Sequence, residues 1–374
     1  MVARRIGEKD PEQAAVAAVQ AIILGVAVSG VTGLAGAVFA PQVLGLMGAD
    51  AVMIRDGAIY TAVILGSSVT IFQLFLLNAI FRGAGDAAIA LRTLMLANSI
   101  NIVLDPCLIF GLGPFPELGL LGAAISTTIG RGTGVAFQLW VLFTANRRLQ
   151  LERRHLRLDL PVMWRLLRVS MTGILQIQVA TASWVALTRI LATFGSAALA
   201  GNTFAIRTIH VIQLPAWGMS NAAATLVGQN LGAKKPDRAE RAVWITGFYN
   251  MAYLCSAGLL LVLFAEPVIG LYSSEPEVLR SGVLCLRYLA YGWPFWAWAL
   301  VLLQAFNGAG DTVTPSWINF FCYWIWQLPI AWFLGVNLGF GPKGVYLAIL
   351  GTATLMGSIY FTLFRRGRWK HQRI

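Results

Sequence analysis

The charge-free runs of this 374-residue chain decide the solvent in which it can fold. Ala14 to Ala40 carries no charged side chain, and neither does Gly57 to Phe81 or Asn250 to Ala265. A bilayer core about 30 Å thick is crossed by about 20 helical residues at 1.5 Å each, so such runs predict membrane-spanning helices. An outer-membrane barrel would show short alternating segments instead. Only 12% of the residues are charged and the mean hydropathy is +0.70, whereas soluble domains carry roughly 25% charged residues. The predicted fold class is therefore all-α, a polytopic membrane helical bundle. Ten spans are expected, at about 14–40, 57–80, 89–111, 119–145, 165–194, 198–229, 240–265, 282–306, 313–335 and 343–364. Pro215 and Pro294 interrupt two of the longer ones. Residues 1–13 are polar and the first apolar run is too long for a cleavable signal, so none is expected.

The basic residues fix an expected orientation. With the N-terminus, the loops at 81–92, 146–168 and 231–241, and the C-terminal tail on one side, that side holds 21 of the 28 Lys and Arg. The opposite side holds Arg55, Arg280, Arg287 and Lys343. Positive residues stay in the cytoplasm, which places both ends there, in a bacterial-type inner membrane. The same distribution accounts for the net charge of +12 without a nucleic-acid partner. Cys107, Cys255, Cys285 and Cys322 are far apart and show no metal or redox spacing. No Ser–His–Asp or metal cluster is visible, so an enzyme is not expected, and no cofactor is implied.

The chain also repeats itself. FRGAGD at 81–86 returns as FNGAGD at 306–311. Gly7, Lys9, Pro11 and Ala14 match Gly232, Lys234, Pro236 and Ala239; Gly119, Ala123 and Thr127 match Gly344, Ala348 and Thr352. Every pair shares one offset, and an even number of spans separates the two GAGD loops. Two parallel, pseudo-repeated lobes follow, related by an axis along the membrane normal. The expected organisation is an N-terminal lobe of four helices at 1–145, a cytoplasmic linker at 146–164, and a C-terminal lobe of six helices plus a basic tail at 165–374. On that count the first lobe lacks about two helices, for which a start codon placed too late or a truncated gene is the simpler explanation.

Among 16 acidic residues, Asp105 lies inside a span, where a carboxylate costs about 2.5–3.5 kcal/mol on insertion scales. Asn98, Asn101 and Asp105 share one helix face at i, i+3 and i+7. Pro106 follows and frees the carbonyl of Ile102. These oxygen ligands suit proton exchange or a small cation such as Na⁺ at Asp105 and Asn101. The plainer reading is that Asp105 ties neighbouring helices together. Gln176, Gln178, Gln213 and Gln304 either line a substrate cavity or act as interhelical hydrogen-bond glue. Arg131, between Gly130 and Gly132, either pairs with Asp105 or reaches a polar cavity. Seven of the thirteen tryptophans fall between Trp293 and Trp332; interfacial anchoring is the default, an aromatic wall for flat cations the alternative. In the GAGD loops Gly supplies a tight turn and Asp caps the next helix. No Walker lysine follows, so ATP-driven transport is not expected.

LVGQNLGAKKPDRAERA at 226–242, its partner VARRIGEKDPEQAA at 2–15, the GAGD loops and NIVLDPCLIFGLGPFPELGLLGAA at 101–124 resemble the multidrug and toxic compound extrusion (MATE) family, most closely its DinF-like branch. The resemblance implies twelve helices in two six-helix lobes, of which this chain carries about ten. It implies a monomeric secondary transporter that exchanges H⁺ or Na⁺ for organic cations or amphiphiles by alternating access. It also implies that Asn101 and Asp105 join Thr127 at the cation-coupling site, while the family's helix 1 Asp has no counterpart here. A lipid or lipid-linked oligosaccharide flippase of the same superfamily, and a non-functional remnant, are the other readings.

Overall fold

The computed structural model describes residues 1–144, 149 and 151–372. Ala145, Arg147 and Arg148, parts of the expected fourth span and linker, and Arg373 of the expected tail lie outside the described residues. All the regular structure among the described residues is helical, with no strand. Seven helices are long and apolar enough to cross a membrane: Pro11–Val38, Ala51–Gly83, Ala87–Phe110, Leu160–Ala192, Pro236–Leu263, Pro276–Ala309 and Pro342–Arg365. The other three expected spans are also helical, but they are richer in small and polar residues or change their winding. Among the described residues all ten expected spans thus fall mainly on helix, and the fifth begins at Leu160, earlier than its hydropathy suggests.

The chain divides into two units, Met1–Leu166 and Leu167–Ile374. In the first, α1 (Val2–Gly7) leads into α2 (Pro11–Val38), α3 (Ala40–Leu46), α4 (Ala51–Gly66), α5 (Ser68–Gly83), α6 (Ala87–Phe110) and α7 (Leu120–Thr144). Its core joins Ala14, Ala18, Leu77, Phe81, Ala90 and Leu142. In the second, α8 (Leu160–Ala192, which begins inside the first unit), α9 (Ser196–Gly232), α10 (Pro236–Leu263), α11 (Ala265–Gly270) and α12 (Pro276–Ala309) are followed by a segment of mixed winding and by α15. That segment runs α13 (Val313–Phe320), a π-helix at Phe321–Gln327, α14 (Leu328–Trp332) and a second π-helix at Phe333–Asn337; α15 is Pro342–Arg365. Pro215 and Pro294 sit inside α9 and α12 without ending them.

Acidic side chains start several helices. Asp10, Asp50 and Asp86 accept from the backbone N–H of Gln13, Met53 and Ile89, at 2.9, 2.7 and 3.4 Å. Asp311 accepts from Thr314 N–H at 3.1 Å, so both GAGD aspartates cap the helix that follows. A cap satisfies one of the N–H groups that a helix start leaves unpaired.

The sequence repeat is also a repeat of backbone conformation. Lys9 and Lys234 both take a left-handed φ, 60° and 57°. Gly85 and Gly310 do the same at 84° and 90°. A non-glycine residue in that region is unfavourable by roughly 1–2 kcal/mol, so its recurrence marks a turn imposed by the packing of both neighbours. The closing bonds match as well: Asp10 N–H donates to Arg5 O at 3.0 Å, and Lys235 N–H to Asn230 O at 2.9 Å. Phe39 and Phe264 break their helices at the same repeat position.

Each unit closes its cytoplasm-predicted end with an apolar plug. Leu149 and Leu151 are buried in the first unit. In the second, Trp369 is wholly buried and stacks on Phe364 at 4.7 Å between ring centroids. The end of the segment expected to be a linker packs against α2: Gln20 donates to Arg157 O at 2.7 Å and accepts from Asp159 N–H at 3.1 Å.

Candidate functional site

The α6–α7 contact is built from small residues. Gly122, Ser126, Gly130 and Gly134 are all buried and stand four apart, so they form one stripe along α7. A Cβ on Gly130 would lie 2.7 Å from the carbonyl oxygen of Ala97, and one on Gly122 would collide with the carbonyl of Leu108. The stripe therefore lets the two backbones touch, as small residues do between membrane helices. That approach brings the polar side chains of both helices together.

Asp105 accepts from Asn101 Nδ2 at 3.1 Å and from the Ser126 hydroxyl, both through Oδ1. Asn101 Nδ2 also lies 3.3 Å from Ser126 Oγ and 3.4 Å from Thr127 Oγ1. The second carboxylate oxygen, Oδ2, makes no hydrogen bond within the described residues. It is the position that can take a proton or a small cation without breaking the bonds at Oδ1. The other acidic residues of the long helices, Glu12, Asp56, Asp237, Glu240 and Glu277, lie within the first two turns of theirs. Of the sequence-selected residues, Asn101, Asp105 and Thr127 meet. Asn98 is exposed and is not brought into the cluster. Arg131 forms no ion pair with Asp105. Ser126, which touches the carboxylate directly, was not singled out by the sequence; its place in the four-residue stripe was the available signal.

The second unit contains a cavity of about 270 Å³. Trp184 of α8, His210, Gln213 and Trp217 of α9, Trp293 and Trp296 of α12, Tyr323 and Gln327 of the π-helix, and Thr352 of α15 line it. No lining residue is Asp, Glu, Lys or Arg. Of the four glutamines read as cavity-lining or as interhelical glue, Gln213 lines this cavity; Gln176, Gln178 and Gln304 do not. Gln176 is buried, Gln178 is exposed, and Gln304 accepts from Asn307 at 3.4 Å. The tryptophan-rich segment divides between the two roles proposed for it: Trp293 and Trp296 face the cavity, while Trp317 and Trp332 are exposed. His210, Tyr323 and Gln327 carried no sequence signal.

Two of the lining residues also carry a polar atom that is closed off from the cavity and has no hydrogen-bond partner, Trp296 Nε1 and Gln327 Oε1. Leaving such an atom unpaired costs about 1–3 kcal/mol. Other indoles of the same unit are satisfied: Trp244 donates to Glu240, Trp298 to Met251 Sδ, Trp324 to Val179 O and Trp369 to Phe364 O. Among the described residues no group of three His, Cys, Asp or Glu side chains could hold a metal ion.

A protein-family model, MatE, matches residues 1–107 and 174–333. The chain belongs to the MatE family. A relative from Thermotoga maritima, described as a probable multidrug resistance protein NorM, is 27% identical over 320 residues, covering 84% of this chain and 68% of its own length. A Shewanella oneidensis relative, described as an FAD transporter, is 28% identical over 370 residues, 97% of this chain and 80% of its own. Solved structures share the fold. A multidrug resistance MATE family transporter in an outward-facing conformation superposes with a TM-score of 0.90 at 23% identity, covering 98% of this chain and 81% of the other. A MOP superfamily transporter from Pyrococcus furiosus gives 0.90 at 22% identity, covering 99% and 83%. As a MatE protein the chain is a multi-pass membrane protein of a transporter family.

Proposed function

We propose that this MatE protein is a secondary-active exporter in which Asp105 takes up and releases the coupling cation, H⁺ or Na⁺, once per cycle. The observation that carries the reading is the asymmetric carboxylate: Oδ1 is held by Asn101 and Ser126, while Oδ2 is free of protein partners among the described residues. Binding a cation at Oδ2 neutralises the one acidic side chain far from a helix start. That removes the charge whose insertion costs about 2.5–3.5 kcal/mol, so the ion-loaded and empty states prefer different surroundings. Asn101 and Thr127 supply further oxygen for Na⁺ if the Asn101 amide turns over. Pro106, directly after Asp105, weakens the helix where such a change is needed. The cargo is a small organic cation or amphiphile, and the chain works as a monomer with both ends in the cytoplasm. The name of the Shewanella relative adds a flavin nucleotide to the compounds worth screening.

The test is efflux from inverted vesicles driven by an imposed gradient. Asp105→Asn is expected to abolish gradient-driven transport, with folding checked by monodispersity. A pH jump and a Na⁺ jump, applied separately, identify the ion. Wild-type coupled efflux by the Asp105→Asn protein would sink the assignment.

A further inference from the structure

We infer that a groove beside the first half of α12 holds one anionic phospholipid by its phosphate headgroup. The placement of arginine is the starting point. On the predicted topology the side opposite the cytoplasm has only Arg55, Arg280, Arg287 and Lys343 among its basic residues. Two of these, Arg280 and Arg287, line a single groove of about 530 Å³, inside the roughly 300–1,000 Å³ range of ligand clefts. They stand at i and i+7 on α12, so they share one face of the helix, about 10 Å apart along its axis.

The protein leaves much of both guanidinium groups open. Arg280 is exposed and makes no ion pair or hydrogen bond within the described residues, even with Glu277 one turn earlier. It stands near the N-terminal end of α12, where the helix dipole favours anions, so helix stability does not account for it. Arg287 Nε donates to Val262 O at 3.3 Å, and its Nη2 lies 3.7 Å from Glu266 Oε1. The second distance is an ion pair too long for a hydrogen bond, so the terminal N–H groups of Arg287 still lack acceptors within the described residues. They are also reachable: the Arg287 side chain is 39% exposed and that of Glu266 is 68% exposed. With Glu266 as its one carboxylate, the lining keeps an excess of positive charge.

The rest of the lining selects a lipid over a free anion. Leu279, Val283 and Leu284 give the groove an apolar wall, which inorganic phosphate would leave uncovered. Tyr288 and Tyr291 lie further along the same face and meet edge to face at 6.2 Å between ring centroids. Their hydroxyls make no hydrogen bond within the described residues. A phospholipid supplies what each part lacks: phosphate oxygens for the two guanidinium forks, ester oxygens for the phenols and an acyl stem for the leucines and valine. A zwitterionic headgroup would bring its own cation beside two arginines, so the anionic lipid is the better fit. The lipid is a fixed part of the second unit, not cargo.

The experiment uses the full chain in detergent, stripped of native lipid. Energy transfer from tryptophan to a pyrene-labelled phosphatidylglycerol reports binding, competed by unlabelled phosphatidylglycerol, phosphatidylcholine or inorganic phosphate. Phosphatidylglycerol is expected to compete at least about tenfold better than phosphatidylcholine, the worth of one charge-assisted hydrogen bond. Arg280→Gln should weaken binding about tenfold. Lys343→Gln, which removes a basic residue on the same side but outside the groove, should change it less than about twofold. Glu266→Gln releases Arg287 and should tighten binding about threefold, a gain that a purely structural role for these residues would not give. If Arg280→Gln does not fold, the competition series on the unaltered chain and Glu266→Gln decide the matter. Equal competition by the two lipids, or equal losses in Arg280→Gln and Lys343→Gln, overturns the inference. Displacement of the probe by inorganic phosphate at the lipid's own concentration also overturns it and leaves a site for a free anion. The Asp105→Asn protein is expected to bind the lipid as tightly as the parent does, so failure of the coupling assignment and failure of this one are read separately.

Discussion

The two units carry different side chains on one repeated helix pair. In the first, α6 and α7 meet through glycine and serine, and the contact encloses a carboxylate held by an amide and a hydroxyl. In the second, the corresponding residues have lost that chemistry. At the repeat offset Asn101 becomes Trp326, Asp105 becomes Ile330 and Ser126 becomes Gly351. The corresponding helix is wound partly as π-helix, and a cavity lined by no Asp, Glu, Lys or Arg opens beside it. The comparison shows that a duplicated scaffold keeps its turns and caps, which local chemistry dictates, while the paired faces diverge. Lys9 and Lys234 still share a strained backbone, yet nothing of the carboxylate cluster survives across the repeat except Thr127 and Thr352.

The largest effect is expected where the second unit closes. Trp369→Ala removes a wholly buried indole stacked on Phe364 and bonded to its carbonyl. It should cost about 3–5 kcal/mol, read as a lowered unfolding midpoint in detergent. A loss below about 1 kcal/mol would mean that the plug is ornamental and that the units do not share this device. Next, Ile330→Asp restores a carboxylate at the position matching Asp105. Without an amide and a hydroxyl opposite, it should destabilise by about 2.5–3.5 kcal/mol, whereas Asp105→Asn should not. If Ile330→Asp is tolerated as well as the native Asp105, the first unit's constellation is not what holds its carboxylate.

The smallest effect concerns Lys370, which pairs with Glu240 at 2.6 Å and Asp237 at 3.4 Å. The hydrogen bond to Glu240 is the main cause that raises its ammonium above the ordinary lysine value. A raised lysine contributes stability that is complete below its unfolded value and lost as pH rises through the folded one. The latch should therefore be constant from about pH 6 to 9 and weaken only in strong alkali. Lys370→Met should cost about 0–1 kcal/mol and remove that alkaline loss, measured by unfolding midpoints across pH. Alkaline loss persisting in the variant would assign it to another group.

Much of the fold was legible before any coordinates. Charge-free runs of membrane length leave a backbone no partner but itself, so helix is forced. The GAGD turns and the shared Lys-x-Pro turns at 9–11 and 234–236 announced the repeat because glycine, proline and aspartate act within a few residues. The carboxylate cluster was partly legible: an i, i+4 pair on one helix meets automatically, as Asn101 and Asp105 do. Ser126 was not, because its contact depends on how closely α7 approaches. Asn98 shares that face yet stays exposed, because a position on a face does not by itself bring a partner opposite.

Hydropathy, caps and the duplicated turns are short-range properties, and the sequence determined them alone: helices, their starts, and two related units in lipid. Which side chains face one another across helices depends on interhelical distance and rotation, which many small residues set together. Only the tertiary structure could therefore place Ser126 against Asp105, or gather Trp184, Trp293, Trp296 and Gln327, distant in the chain, around one aromatic-lined cavity.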